Sequence, residues 1–243
     1  MQKKVSSHTF RQGLVGGIPI ALGYIPVSFG FGILAAAGGL TPLIATIISL
    51  TNVTSAGQLA GLDILLAAGS LIEMMTAEFV INIRYGLMSI SLTQKLDSTF
   101  GTFQRLLCGF AMTDEIFAVA YSQEGLIGTK YFYGLALLPL IGWNAGTLLG
   151  ATAGYFLPAS VQSAMGIVLY AMFLAIILPP ATKDKAIAVC VCASALFSVA
   201  LRVIPALSGI SSGFAVVVCA LAAALLASFL FPVKDETEGD GEA

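Results

Sequence analysis

From Leu14 to Ala37 the chain carries no charged side chain. A helix needs about 20 mostly apolar residues to cross the hydrocarbon core of a bilayer, and this run supplies them. Comparable stretches recur at Tyr131–Leu157, Val161–Leu178, Ala186–Val203 and Leu207–Phe231. Of the 243 residues, 58% are hydrophobic and only 10% are charged. Soluble domains carry about 25% charged residues, so this chain cannot cover a globule with polar surface. The expected fold is all-α, a polytopic integral membrane helical bundle. Its length allows about seven hydrophobic segments, with one or more broken or re-entrant helices. Residues 1–12 read as a cytoplasmic N-terminal segment, 13–232 as the transmembrane domain and 233–243 as a short acidic tail.

The remaining composition excludes several classes. A net charge of −2 argues against nucleic acid as a partner. Cys108, Cys190, Cys192 and Cys219 form no CxxC pair, and His8 is the sole histidine. Neither a metal site nor another cofactor is expected. The first apolar run is too long for a cleavable signal core. Lys3, Lys4 and Arg11 before it place the N-terminus in the cytoplasm by the positive-inside rule.

Glycine and proline punctuate the first span. Gly16, Gly23 and Gly30 recur at seven-residue intervals and read as a packing seam. Pro19 and Pro26 have the same spacing, so the span is either a kinked packing helix or a discontinuous one lining a cavity. Thr41–Leu92 is apolar but repeatedly interrupted. It fits three short crossings, or one crossing plus a re-entrant pair. The stretch Thr51–Gln58 is too polar to face lipid. Tyr131, Phe132 and Tyr133 beside Lys130 read as an interfacial anchor.

Charge also constrains topology. If the basic loops at Lys95–Arg105 and Lys183–Lys185 share one side, an even number of crossings separates them. Three apolar segments lie between, so the acidic one around Asp114 is expected to be re-entrant, or one basic loop breaks the rule. A weak echo joins Gly13-Leu14 and Pro19 to Gly134-Leu135 and Pro139. It reads either as a repeat or as chance similarity between glycine-rich helices.

Intramembrane ionisable groups cost at least about 2.5 kcal/mol each on insertion scales and mark function by default. Glu78 and Asn82 share a helix face. Arg84 points elsewhere, either snorkelling to headgroups or pairing with Asp114 or Glu115 on another segment. One cation, one or two carboxylates and the amides of Asn52, Gln58 and Asn82 would suit a zwitterion. The candidate substrate-binding or coupling residues are therefore Asn52, Gln58, Glu78, Asn82, Arg84, Asp114 and Glu115.

Taken together, Gly13–Gly39 with Pro19 and Pro26, Thr54-Ser55-Ala56-Gly57-Gln58, Asn82-Ile83-Arg84-Tyr85-Gly86 and Thr113-Asp114-Glu115-Ile116-Phe117 resemble the AzlC family. The resemblance implies the larger subunit of a branched-chain amino-acid exporter, working with a small AzlD-type membrane subunit. It implies secondary transport in a bacterial-type cytoplasmic membrane, driven by a proton gradient or the membrane potential. No Walker-type phosphate loop is present, in keeping with transport without ATP hydrolysis. No enzymatic activity is expected. The alternatives are a structural or assembly subunit and, less well supported, an intramembrane aspartyl protease using Asp63 and Asp114.

Overall fold

The computed structural model describes residues 8–154, 177–205, 207 and 209–232, with isolated positions between 156 and 174. The span expected at Val161–Leu178 lies largely outside these residues, and the acidic tail wholly so. Among the described residues nine helices are delimited: α1 Phe10–Ala37, α2 Pro42–Thr51, α3 Ser55–Leu66, α4 Leu71–Leu92, α5 Thr102–Phe110, α6 Asp114–Tyr121, α7 Thr129–Gly154, α8 Lys185–Val203 and α9 Ser212–Leu230. The described residues thus form an all-α membrane protein without a named strand. Four of these helices, α1, α7, α8 and α9, are long and apolar enough to cross a bilayer. The expected count of about seven segments includes Val161–Leu178, which lies largely outside the described residues. Within them, part of the apolar sequence forms short helices, and α4 carries Glu73, Glu78 and Arg84.

Helix starts are written locally. Thr9 and Gln12 close a capping box on α1, and Thr41 caps α2 with Pro42 at its first position. Thr54, Ser70 and Thr113 cap α3, α4 and α6 through their hydroxyls. Glu73 lies in the first turn of α4 and also accepts the Gly213 N–H at 2.8 Å, so one carboxylate serves the N-termini of two helices.

Helices α1 and α7 run parallel and form the centre of the bundle. A Cβ at Gly13 would fall on Tyr131 backbone, one at Gly17 on Leu135, one at Gly146 on Ile25 and one at Gly150 on Phe29. The contacts advance in register along both chains. The seam is therefore Gly13, Gly17 and Gly32 on α1 against Gly134, Gly146 and Gly150 on α7. This corrects the expected seam at Gly16 and Gly23. Gly30 is buried, but a Cβ at Gly16 meets only ordinary side-chain contacts and one at Gly23 meets nothing within 4 Å, because Gly23 borders a cavity. The prolines do not break α1 either: the helix continues through Pro19 and Pro26. Each proline removes one backbone hydrogen bond, which a membrane helix tolerates when its neighbours hold it. Of the expected aromatic anchor, Tyr131 is 2% and Phe132 0% exposed, packed inside the protein against the start of α1, while Tyr133 is half-buried.

The chain between α1 and α7 makes two hairpins entering from opposite ends. Helix α3 ends beside the end of α1, where Leu66 lies against Gly38. Since α2 also begins there, α2 and α3 dip inward from the far end, turn at Asn52–Thr54 and return. Thr41–Leu92 thus holds two short helices that turn back on one another, followed by the longer α4. Helix α4 then runs back to the near end, where α1 begins. There Lys95 donates to the Tyr121 and Gln123 carbonyls, and His8 contacts the Glu124 carbonyl. So α5 and α6 dip inward from the near end and turn at Ala111–Thr113. The acidic segment around Asp114 is one arm of that hairpin. Finally, α9 starts at the far end beside Ile64 and Glu73 and packs antiparallel to α8.

Candidate functional site

The tips of the two hairpins meet between α1, α4 and α7. They enclose a cavity of about 500 Å³, within the range of small-molecule sites. Thr54, Ser55 and Ala56 reach it from one tip and Thr113, Asp114 and Glu115 from the other. Because α3 and α6 both begin here and run in opposite directions, two helix N-termini converge on one space. Each brings unpaired backbone N–H groups and a partial positive charge of roughly half a unit. Ile20, Val27, Val53, Ile81 and the Tyr24 and Trp143 rings supply apolar wall.

Arg84 joins the two tips. Its Nη2 donates to Asp114 Oδ2 at 2.9 Å and to the Tyr85 hydroxyl at 3.0 Å. That hydroxyl donates to Thr54 Oγ1 at 3.2 Å, so a continuous path runs from one hairpin through α4 to the other. A second tyrosine works the opposite way. Tyr24 on α1 donates to Glu115 Oε2 at 2.6 Å and shares a hydrogen bond with the Thr113 hydroxyl at 2.7 Å. Each tyrosine thus binds the threonine cap of a hairpin tip, Tyr85 with Thr54 and Tyr24 with Thr113. Pro19 and Pro139 lie on neighbouring parallel helices.

The seven candidate residues fall into three groups. Arg84, Asp114 and Glu115 line the cavity. Asn52, Glu78 and Asn82 form a cluster of their own, where both amides donate to Glu78 Oε2, at 3.3 and 2.7 Å. Gly57 and Gly61 lie directly over that carboxylate. Gln58 belongs to neither group. It is 1% exposed, and its amide donates to Ser49 at 2.7 Å, which in turn bonds Thr147 of α7 at 2.6 Å. Gln58→Ala is expected to lower the melting temperature in detergent, at a cost of about 1–3 kcal/mol. Thermal unfolding of the purified variant beside the wild type checks this.

Sequence reasoning missed Tyr24, Tyr85 and Trp143. The tyrosines were legible as hydroxyls inside apolar runs, where burial demands a partner. Trp143 is 3% exposed and lines the cavity, yet its indole N–H has no partner among the described residues. Asp63 and Asp114 line different cavities, so they do not make an aspartyl pair. Among the described residues no cluster of three or more histidine, cysteine or acidic side chains could hold a metal.

Comparison with known proteins agrees with the motifs. The profile of the family described as AzlC protein matches residues 19–157, which includes most of α1, both hairpins and all of α7. An Archaeoglobus fulgidus protein described as an uncharacterized membrane protein is 34% identical over 74% of this chain and 79% of its own length. The Escherichia coli inner membrane protein YgaZ is 30% identical over 97% of each chain. A Helicobacter pylori membrane protein is 27% identical over 68% of this chain and 72% of its own. No solved structure matches the chain. With its motifs, its apolar helices and these relatives in agreement, the chain is a membrane protein belonging to the AzlC family.

Proposed function

We propose that this protein is the larger subunit of a secondary-active exporter of branched-chain amino acids, with the central cavity as its substrate site. The observation that carries the reading is the charge balance of that cavity. Arg84 contributes one positive charge, Asp114 and Glu115 two negative, and the two helix N-termini together about one positive. A nearly neutral site with separated charges suits a solute that is itself neutral but bipolar. The N-terminus of α3, with the Tyr85 hydroxyl and Arg84, is the place for a carboxylate. Glu115 and Asp114 serve an ammonium. The isoleucine and valine walls and Trp143 suit a branched apolar side chain. Half-helices that place their N-termini at anionic groups of a substrate are a recurring device of secondary transporters.

Movement follows from the same contacts. A substrate carboxylate competes with Asp114 for Arg84, and its ammonium competes with Tyr24 for Glu115. Binding therefore loosens the clasp between hairpins that close opposite ends, which is the requirement of alternating access. Glu78, held by Asn52 at one hairpin turn, is the carboxylate placed to couple a proton or a cation to that motion. The protein is accordingly non-catalytic, and an AzlD-type subunit is its proposed partner.

Orientation follows from charge. Arg11, Lys95, Arg105, Lys130, Lys183 and Lys185 gather at the near end, against Arg202 at the far end. By the positive-inside rule the near end, with the N-terminus, faces the cytoplasm of a bacterial-type inner membrane, the location that the name of YgaZ carries. The test is flux of labelled leucine, isoleucine or valine in proteoliposomes holding the protein and its small partner. Flux above empty vesicles under a proton or potential gradient supports the reading. Its absence under both gradients refutes the substrate assignment.

A further inference from the structure

A second cavity, of about 550 Å³, opens at the far end between α3, α8 and α9 and shares no lining residue with the first. It brings Asp63 of α3 opposite Arg202 in the last turn of α8. The two charges act on one another across the space, but among the described residues they form no ion pair. Below Arg202, Ser198 and Ser194 follow at four-residue intervals on the same face of α8, and Ser212 faces them from α9. This polar stripe runs about 12 Å along a helix otherwise apolar enough to cross a bilayer. Neither Ser194 nor Ser198 is hydrogen-bonded to another described residue. In a helix facing lipid such hydroxyls usually bond back to their own backbone; here they line open space.

We propose that this second cavity binds a free amino-acid zwitterion, with Arg202 taking the carboxylate and Asp63 the ammonium. Asp63 and Arg202 carry opposite unit charges on two walls of one space, as the two ends of an amino acid require, and the serines offer hydrogen bonds to either end. Helix α3 links the two sites, since its N-terminus opens on the central cavity and Asp63 lies about 12 Å further along it. The far cavity is thus a vestibule on the same transport route, and the proposal rests on the amino-acid reading of the central site. The headgroup of phosphatidylethanolamine has the same bipolar chemistry, and the experiment separates it from a free solute.

Cys219 lines this cavity and is 6% exposed, which makes it a local reporter. In the complex with Cys219 as its only cysteine, saturating L-leucine is expected to slow alkylation by N-ethylmaleimide at least fivefold. Asp63→Asn or Arg202→Gln should abolish the protection, Arg202→Lys should retain most of it, and Arg84→Gln should leave it. If Cys219 does not react, Ser198→Cys serves as the reporter. Nanodiscs with and without phosphatidylethanolamine complete the test. Protection by that lipid alone, with no effect of leucine, overturns the proposal. So does protection lost in Arg84→Gln but kept in Arg202→Gln, or flux without any protection; in each case the central reading stands if flux persists. Absence of both flux and protection overturns both readings.

Discussion

Arg84→Gln is expected to reduce flux of branched-chain amino acids at least tenfold while the protein still inserts and purifies as a monodisperse species. Arg84 gives charge-assisted hydrogen bonds, worth roughly 1.5–3 kcal/mol each against neutral alternatives. Glutamine can keep one contact but not the charge that a substrate carboxylate requires. Its shorter side chain also does not reach the point from which one terminal nitrogen meets Asp114 at 2.9 Å and Tyr85 at 3.0 Å. Asp114→Asn should show a similar loss, because it removes the charge that Arg84 neutralises at rest. Flux in proteoliposomes, set beside size-exclusion profiles, checks both. Unaltered flux in both variants would instead favour a scaffold whose partner holds the substrate.

Gly150→Leu is expected to destabilise the protein more than any cavity substitution. A side chain there would enter the backbone of α1 at Phe29, where nothing flexible can yield. Overpacking costs about 1–3 kcal/mol at ordinary core sites and more where backbones touch. A loss of about 3 kcal/mol corresponds to roughly 10 °C in melting temperature for a chain of this size. Gly23→Ala makes the contrast. A Cβ at Gly23 meets nothing within 4 Å, so stability should hold while the narrowed cavity weakens transport. Melting curves of the two variants in one detergent decide the matter.

That contrast shows how far the sequence could be read. The membrane class was plain because apolar runs such as Leu14–Ala37 have no soluble alternative. The short hairpins were half legible: Asn52 and Asp114 interrupt apolar segments too short to cross alone, and charge parity called either for one of them to turn back or for one basic loop to break the rule. The packing seam was not legible because more than one spacing is present on a glycine-rich helix. Gly16, Gly23 and Gly30 recur every seven residues, whereas the close approach uses Gly13 with Gly17 and, on α7, Gly146 with Gly150. Only the partner helix decides which glycines touch. Arg84 needed an acidic partner on another segment, and Asp114 was within the possibilities. Gln58 could not be placed in advance: a buried amide with a serine partner 2.7 Å away looks, in sequence, like an amide awaiting a ligand.

The central claim is that the cavity between the hairpin tips reads both charges of an amino acid. Its most direct measurement is competition against labelled leucine in wild-type proteoliposomes by two analogues, 4-methylpentanoate without the ammonium and 3-methylbutylamine without the carboxylate. The account predicts that unlabelled leucine competes fully and that each analogue competes at least tenfold less well. Competition by either analogue as strong as that by leucine would show that the site reads one charge, and would contradict it.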